Sequence, residues 1–436
     1  MQANLMRAAF SNCFSVRDTQ EIFFTAESKY SSDKDQTSWN LIGDKKILED
    51  FIVPTTVFYG ANASGKSTIL SAIRRLAKLF ERYKRKPAKL SRNPFVLDKD
   101  KPSTLEYDFY LNQKIYSYSI TYNDDEFIEE HLWLYINSTK NVIYDRKTKE
   151  FNTDFISEQT RKELLEITST RKDVLFLELL TLRALSPFKE IYDFFEALYS
   201  QKGSQDVAKI LYSDEDLKKQ VENFIQFADL GISEIIADRR ALDPEKLQLN
   251  KKLYHFLEEA IGSEEANILQ ETLLNEEVEY EYFIKFNHDS IEKKFEISDR
   301  YESAGTERFL DLLIKFLPAF LKGGVFLIDE LEDSLHPMLL VEIIKMFHSP
   351  CLNKAGAQLI FTTHDTNLLK PDLLRRDEIW FVEKNKKGET ITYPLSDFTD
   401  VRNNYNYEKG YLEGRFGAIP YLGNVNNLIS LCNEKV

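Results

Sequence analysis

Hydrophobic and polar positions change their rhythm twice along the chain. In the first third, short runs dense in β-branched and aromatic residues predict strands: EIFFTA, TTVFYG, TLEYDFYL, KIYSYSITY and HLWLYI. Together they read as one mixed sheet carrying one long helix. That helix is expected from Lys66 to about Tyr83, because Ile69, Ile73, Leu76 and Phe80 recur at three- and four-residue spacing. Arg74, Arg75, Lys78 and Arg82 fall mostly elsewhere, so the spacing predicts an amphipathic helix with a basic outer side.

From about Ser157 the rhythm becomes helical in KDVLFLELLTL, PFKEIYDFFEALYS and LKKQVENFIQFADL, with one strand-like break at GISEIIAD. Strand patterns return at EVEYEYFIKFN and KKFEISD. A helix from Thr306, the strand VFLIDE, a helix from about His336, the strand AQLIFTT and a closing pair, DEIWFVEK and ETITYPL, then follow. The expected organisation is a first lobe at 1–156, a mostly helical insertion at 157–276 and a second lobe at 277–436. The most apolar window, FLDLLIKFLPAFLKGGVFLI, carries Asp311, Lys315 and Lys322 and is broken by Pro318 and by Gly323-Gly324. It predicts a core helix followed by a buried strand and no membrane span.

Charge narrows the partners. A formal net charge of −14 repels nucleic acid on average. Any such contact is left to the basic run RRLAKLFERYKRKPAKLSR at 74–92, for which a solvated helix face, nucleic acid phosphates and an acidic protein partner all stay open. Three scattered cysteines, Cys13, Cys351 and Cys432, support neither a disulfide framework nor a zinc site. With no apolar leader at the N-terminus, a reducing, cytoplasmic setting is expected.

Two motifs carry chemistry. GANASGKS fits G-x-x-x-x-G-K-[ST], after a strand and opening a helix, where backbone N–H groups and the helix N-terminus can bind phosphate. The predicted nucleotide-binding residues are Gly60, Ala61, Asn62, Ala63, Ser64, Gly65, Lys66, Ser67 and Thr68, with Lys66 reaching the terminal phosphates and the Ser67 hydroxyl on Mg²⁺. In GGVFLIDELEDSLHP an apolar strand ends in Asp329 and Glu330. Asp329 is expected to hold the metal's shell and Glu330 to orient the attacking water.

In order along the chain, GANASGKS, ESAGTERFL, LIDELEDSLHP and IFTTHD resemble the ATPase head of the ATP-binding cassette class in its SMC and Rad50 branch. More narrowly, ANASGKST, DELEDSLHP and the tail RRDEIWFVEK with GYLEGRFGAIP are similar to prokaryotic defence ATPases of the AbiLii, RloA and PARIS kind. The resemblance implies an α/β, ABC-type P-loop head with mixed β-sheet lobes. It makes Ser303 and Gly305 the signature residues that touch the γ-phosphate of a nucleotide held by another chain, and His364 the switch histidine. Ser334 and Leu335 would form the loop that crosses the dimer interface, while the coupling glutamine stays open between Gln113 and the region Glu129 to His131.

The implied activity is Mg²⁺-dependent ATP hydrolysis by a sensor or scaffold of antiphage, abortive-infection defence. The implied partners are a second copy in a head-to-tail homodimer or higher homo-oligomer, a neighbouring-gene effector such as a Toprim-type nuclease, and a phage trigger protein. The alternative is a DNA-repair ATPase of the RecF or Rad50 kind acting directly on DNA.

Overall fold

The computed structural model describes residues 2–27, 41–43, 47–48, 50–80, 89–199, 207–228, 231–241, 252, 280–289, 294–399, 401 and 405–420. Two compact units divide it. One comprises Met1–Lys202 with Ala319–Val436, the other Gly203–Pro318.

The first unit opens with β1 (Ala3–Ser11), β2 (Gln20–Phe23), β3 (Thr55–Tyr59) and the helix α1 (Lys66–Ile73). A meander follows: β4 (Ser103–Leu111), β5 (Lys114–Tyr122), β6 (Phe127–Ile136), β7 (Thr139–Asp145) and β8 (Glu150–Phe151). Three helices come next, α2 (Glu158–Thr170), α3 (Phe176–Thr181) and α4 (Phe188–Tyr199). The second unit holds α5 (Val207–Ser213), α6 (Glu215–Phe227), β9 (Ile232–Ala241), β10 (Tyr280–Asp289) and β11 (Lys294–Ser298). The helix α7 (Ala304–Lys322) begins there and ends in the first unit. The first unit then closes with β12 (Val325–Ile328), α8 (Pro337–His348), β13 (Gln358–Thr362), β14 (Ile379–Lys384), β15 (Thr390–Pro394) and α9 (Tyr407–Leu412).

The early strands form part of two sheets, where the sequence pattern suggested one. Seven of the first eight strands form an antiparallel sheet ordered β2-β1-β4-β5-β6-β7-β8, whereas β3 joins a five-stranded sheet ordered β12-β13-β3-β14-β15. In the latter, β12, β13, β3 and β14 run parallel and only β15 is antiparallel. All five residues of β3 are buried, as a central parallel strand requires. The result is a P-loop-type α/β fold with mixed sheets and helical segments, consistent with an ABC or SMC-type ATPase head. Among the described residues, no helix is long and apolar enough to cross a membrane.

A single apolar cluster joins the two sheets. Phe58, Ile69, Ile73, Leu327, Ile360 and Val382 from around the parallel sheet belong to the same core as Tyr107, Phe109, Tyr118 and Leu132 of the meander. On α4, Phe195 lies 5.1 Å from the rings of both Tyr107 and Phe109, closing the meander's inner face. The segment read as an insertion is helical in its described first part. Its helices α2 to α4 nevertheless fall in the first unit and supply Leu164, Phe176, Phe194 and Phe195 to that core, so the compact division comes at Gly203. In the second unit, α5 and α6 cover the three-stranded antiparallel sheet β11-β10-β9.

The expected helix from Lys66 stops early. It ends at Ile73, with a short 3-10 turn at Ala77–Leu79, and the remainder of its expected length, with Arg82, Lys84, Arg85 and Lys86, lies outside the described residues. Arg75 is 2% exposed, so it cannot belong to a basic outer face. Its guanidinium donates to the Tyr122 hydroxyl and the Ser91 carbonyl and lies over the Phe14 ring. Arg92 is likewise engaged, with Asp124 and with the carbonyls of Lys99 and Lys101.

One buried carboxylate organises the junction of sheet and helices. Glu130, fully buried on β6, accepts from the hydroxyls of Tyr118 and Tyr144 at 3.0 and 2.9 Å. It also accepts from the first backbone N–H groups of α3, those of Phe176 and Leu177, at 2.7 and 3.0 Å. These are the N–H groups that a helix start leaves without partners. This use of Glu130 is structural, which takes it out of the candidates for the coupling position. Glu130→Ala should lower unfolding free energy by about 3–5 kcal/mol, because these four donors and the Arg146 guanidinium, 3.5 Å away, lose their acceptor. Urea denaturation followed by circular dichroism checks it, and a loss under about 1 kcal/mol would contradict it.

Candidate functional site

In parallel α/β sheets, ligands gather outside the carboxyl ends of the strands. Here β3, β12 and β13 all deliver motif residues to that edge. β3 ends at Tyr59 and runs directly into the loop that opens α1. The loop's turn is closed by the Ser64 N–H on the Ala61 carbonyl at 3.1 Å, with Ala63 at φ 63° and Gly65 at φ 112°, both left-handed. Gly65 has no substitute. A Cβ there would sit 2.3 Å from Thr390 Oγ1, and one at Gly60 would sit 2.2 Å from the Val382 carbonyl.

Lys66, 6% exposed, folds back to donate to the carbonyls of Gly60 at 2.8 Å and Ala61 at 3.3 Å. Desolvation pushes its ammonium below the ordinary lysine value, while Asp329, Glu330 and Glu332 pull the other way. Those acids follow the carboxyl end of β12, which β13 separates from β3 in the same parallel sheet. The N-terminus of α1 has no side-chain cap, and the Ser64 hydroxyl is buried without a hydrogen-bond partner. Uncapped amides, an orphan hydroxyl and an inward lysine suit a phosphate chain. Ser67, exposed on the first turn of α1, and the exposed carboxylate of Asp329 supply hard oxygen donors of the kind Mg²⁺ takes.

β12 and β13 set the acidic pair. Their parallel register aligns Ile328 with Phe361, so Asp329 emerges beside Thr362. The Thr362 hydroxyl donates to Asp329 Oδ1 at 2.6 Å and accepts from the Glu330 N–H at 2.8 Å. This one hydroxyl fixes both acids. Glu330 adopts φ 50°, left-handed for a residue that has a Cβ, and its side chain is exposed. His364, two residues past Thr362, is exposed as well, and its N–H donates to Glu332 Oε1 at 2.5 Å.

The structure thus brings Gly60 through Thr68, Asp329, Glu330 and His364 to one sheet edge. Ser303 and Gly305 lie in the other compact unit, at the start of α7. There the Ser303 hydroxyl accepts from the Thr306 N–H at 3.1 Å, an N-cap on its own helix. Ser334 sits at φ 61° in the turn ahead of α8, where His336 caps and Pro337 opens the helix. Gln113 occupies the β4–β5 hairpin turn with φ 63°.

Several residues escaped sequence reasoning. Thr362 was signalled only by the pair of threonines before His364. Ser15 and Thr390 bracket the phosphate loop, their hydroxyls 2.8 Å apart and Thr390 donating to the Ser64 carbonyl at 3.2 Å, yet they lie in segments with no motif. Arg74 is half-buried with its Nε unpartnered. Burial lowers its guanidinium below the ordinary value, and Asp329 opposes that shift.

A family model described as "AAA domain, putative AbiEii toxin, Type IV TA system" matches residues 55–370, from the first residue of β3 to just past the His364 loop. The chain belongs to this family. As a member it carries an AAA-type ATP-binding domain, which accounts for the phosphate loop and implies ATP as the nucleotide. No curated protein matches the chain. Among solved structures, it is similar to the "SMC head domain from Thermotoga maritima", at 13% identity over 90% of this chain and 98% of that one, with a TM-score of 0.39. It is also similar to an SMC head bound to the C-winged helix domain of ScpA, at 14% identity over 89% and 97%, with a TM-score of 0.37.

Proposed function

We propose that the protein is a Mg²⁺-dependent ATP hydrolase working as a sensor or scaffold in antiphage, abortive-infection defence. Two copies close head to tail over ATP, and the nucleotide state decides whether a toxic, nuclease-type effector is held, released or activated. The reading is carried by one arrangement: a phosphate loop with an inward Lys66 after β3, and Asp329 and Glu330 after β12, at the same carboxyl edge of one parallel sheet. In it, Gly60 to Thr68 bind ATP, Ser67 and Asp329 hold the metal, Glu330 and His364 act on the attacking water and the γ-phosphate, and Ser303 and Gly305 complete the partner's site. The metal would supply charge neutralisation at the phosphates. The family's description as part of a toxin–antitoxin system supports the defence setting.

The test is turnover and mass together. Purified protein with saturating ATP and Mg²⁺ should release phosphate and associate, as read by light scattering, and chelation by EDTA should return both signals to background. Protein that neither binds nor turns over ATP, and whose mass is unchanged by it, would overturn the reading.

A further inference from the structure

The segment Tyr407 to Ala418 packs against the edge that carries the site. Tyr59, the residue before Gly60, is 1% exposed, and its hydroxyl donates to the Asp365 carbonyl at 2.9 Å. The end of the phosphate-loop strand is thereby tied to the loop of His364. Against Tyr59 lies Tyr411 of α9, ring centroids 5.7 Å apart, and Tyr411 stacks on Phe381, which stacks on Phe416. Polar ties fix the segment's course. Tyr411 donates to the Ala418 carbonyl at 3.1 Å, Tyr393 to the Phe416 carbonyl at 2.8 Å, and the Ala418 N–H to Glu383 at 3.0 Å. Close approach is built in, since a Cβ at Gly410 would meet the Tyr405 ring at 2.7 Å and one at Gly417 the Tyr393 hydroxyl at 2.5 Å.

A second tie reaches the loop itself. Thr366, two residues after His364, donates its hydroxyl to Glu408 Oε1 at 2.8 Å. The His364 loop is therefore held from three directions: by Glu332 on the turn after β12, by Tyr59 on β3 and by Glu408 on α9. A segment that only covered apolar rings would need no such bond. A part-exposed hydrogen bond adds little to stability, so its effect belongs in where the loop sits.

We infer that Tyr407 to Ala418 is a positioning part of the ATPase site, with Glu408 acting through Thr366, and Tyr411 through Tyr59, to hold the His364 loop. This rests on the ATPase reading above. A partner that grasps this segment would gain a handle on hydrolysis without touching nucleotide.

The experiment compares wild type, Glu408→Ala, Glu408→Gln, Tyr59→Phe and Lys66→Ala for Tm, ATP KM and kcat. Glu408→Ala should lose roughly tenfold in kcat with KM and Tm kept, as expected for an interaction that matters mainly in the transition state. Glu408→Gln, whose amide oxygen still accepts from Thr366, should recover most of that loss, and Tyr59→Phe should fall like Glu408→Ala. A purely structural segment would lower Tm and leave kcat per folded molecule alone. Unchanged kcat in both Glu408→Ala and Tyr59→Phe, beside an active wild type, sinks the inference and spares the ATPase reading. A wild type no better than Lys66→Ala at binding and turning over ATP sinks both.

Discussion

Glu330→Gln is expected to bind ATP as tightly as wild type and to lose at least ~100-fold in turnover, the scale on which positioned polar groups of phosphoryl-transfer sites act. The geometry makes the substitution clean. Glu330 is exposed, so the amide meets no packing penalty, and its backbone is held by the Thr362 hydroxyl whatever the side chain. The left-handed φ of 50° belongs to the turn after β12, where the Glu330 carbonyl accepts from the Asp333 N–H, and is set before the side chain begins. What changes is the charge that would polarise the attacking water. Binding should persist, because the groups proposed to hold the phosphates come from the loop at Gly60 to Thr68. ATP-dependent association should persist too, and last longer, since the closed state no longer consumes its nucleotide. Single-turnover hydrolysis and light scattering read both quantities. Turnover within about threefold of wild type falls far short of that loss and would remove Glu330 from the water-orienting role.

The candidate site is legible where its motifs are written in contiguous residues, and illegible where it depends on which strands become neighbours. GANASGKS and LIDELED each announce a strand, a turn and a polar end, and the structure puts both at one sheet edge. The uncharged, fully buried run TTVFYG differs from TLEYDFYL, whose Glu106 and Asp108 alternate with apolar residues, but nothing local names β13 and β14 as its neighbours. Thr390 and Ser15 reach the phosphate loop only through that long-range pairing. Helix length failed for a different reason. Ile69, Ile73, Leu76 and Phe80 are all buried, as the periodicity requires, yet a helix, a turn and a 3-10 segment can bury the same side chains. Just past the end of α1, Arg75 is drawn inward to Tyr122 and Ser91 by contacts no helical wheel contains.

Ser303→Arg is expected to abolish ATP-driven association and lower turnover ~100-fold or more while leaving ATP binding at Lys66 intact, if the start of α7 completes a partner's site as oxyanion-type donors do. Two roles compete for this residue. In the structure its exposed hydroxyl caps α7, and a cap alone is worth about 0.5–2 kcal/mol of stability and nothing in rate. Ser303→Asn, which keeps a capping side chain, therefore sets the baseline for the local role. An arginine at the same exposed point adds bulk and positive charge where a helix N-terminus would otherwise receive an anion. Mixing separates the roles fully. A Ser303→Arg chain keeps its phosphate loop, and a Lys66→Ala chain keeps its signature turn, so a mixed pair contains one complete composite site. Turnover that is absent from each variant alone and reappears on mixing can come only from residues of two chains acting on one nucleotide. Ser303→Arg turnover matching that of Ser303→Asn, or no recovery on mixing with Lys66→Ala under conditions where the chains associate, would confine Ser303 to capping its own helix.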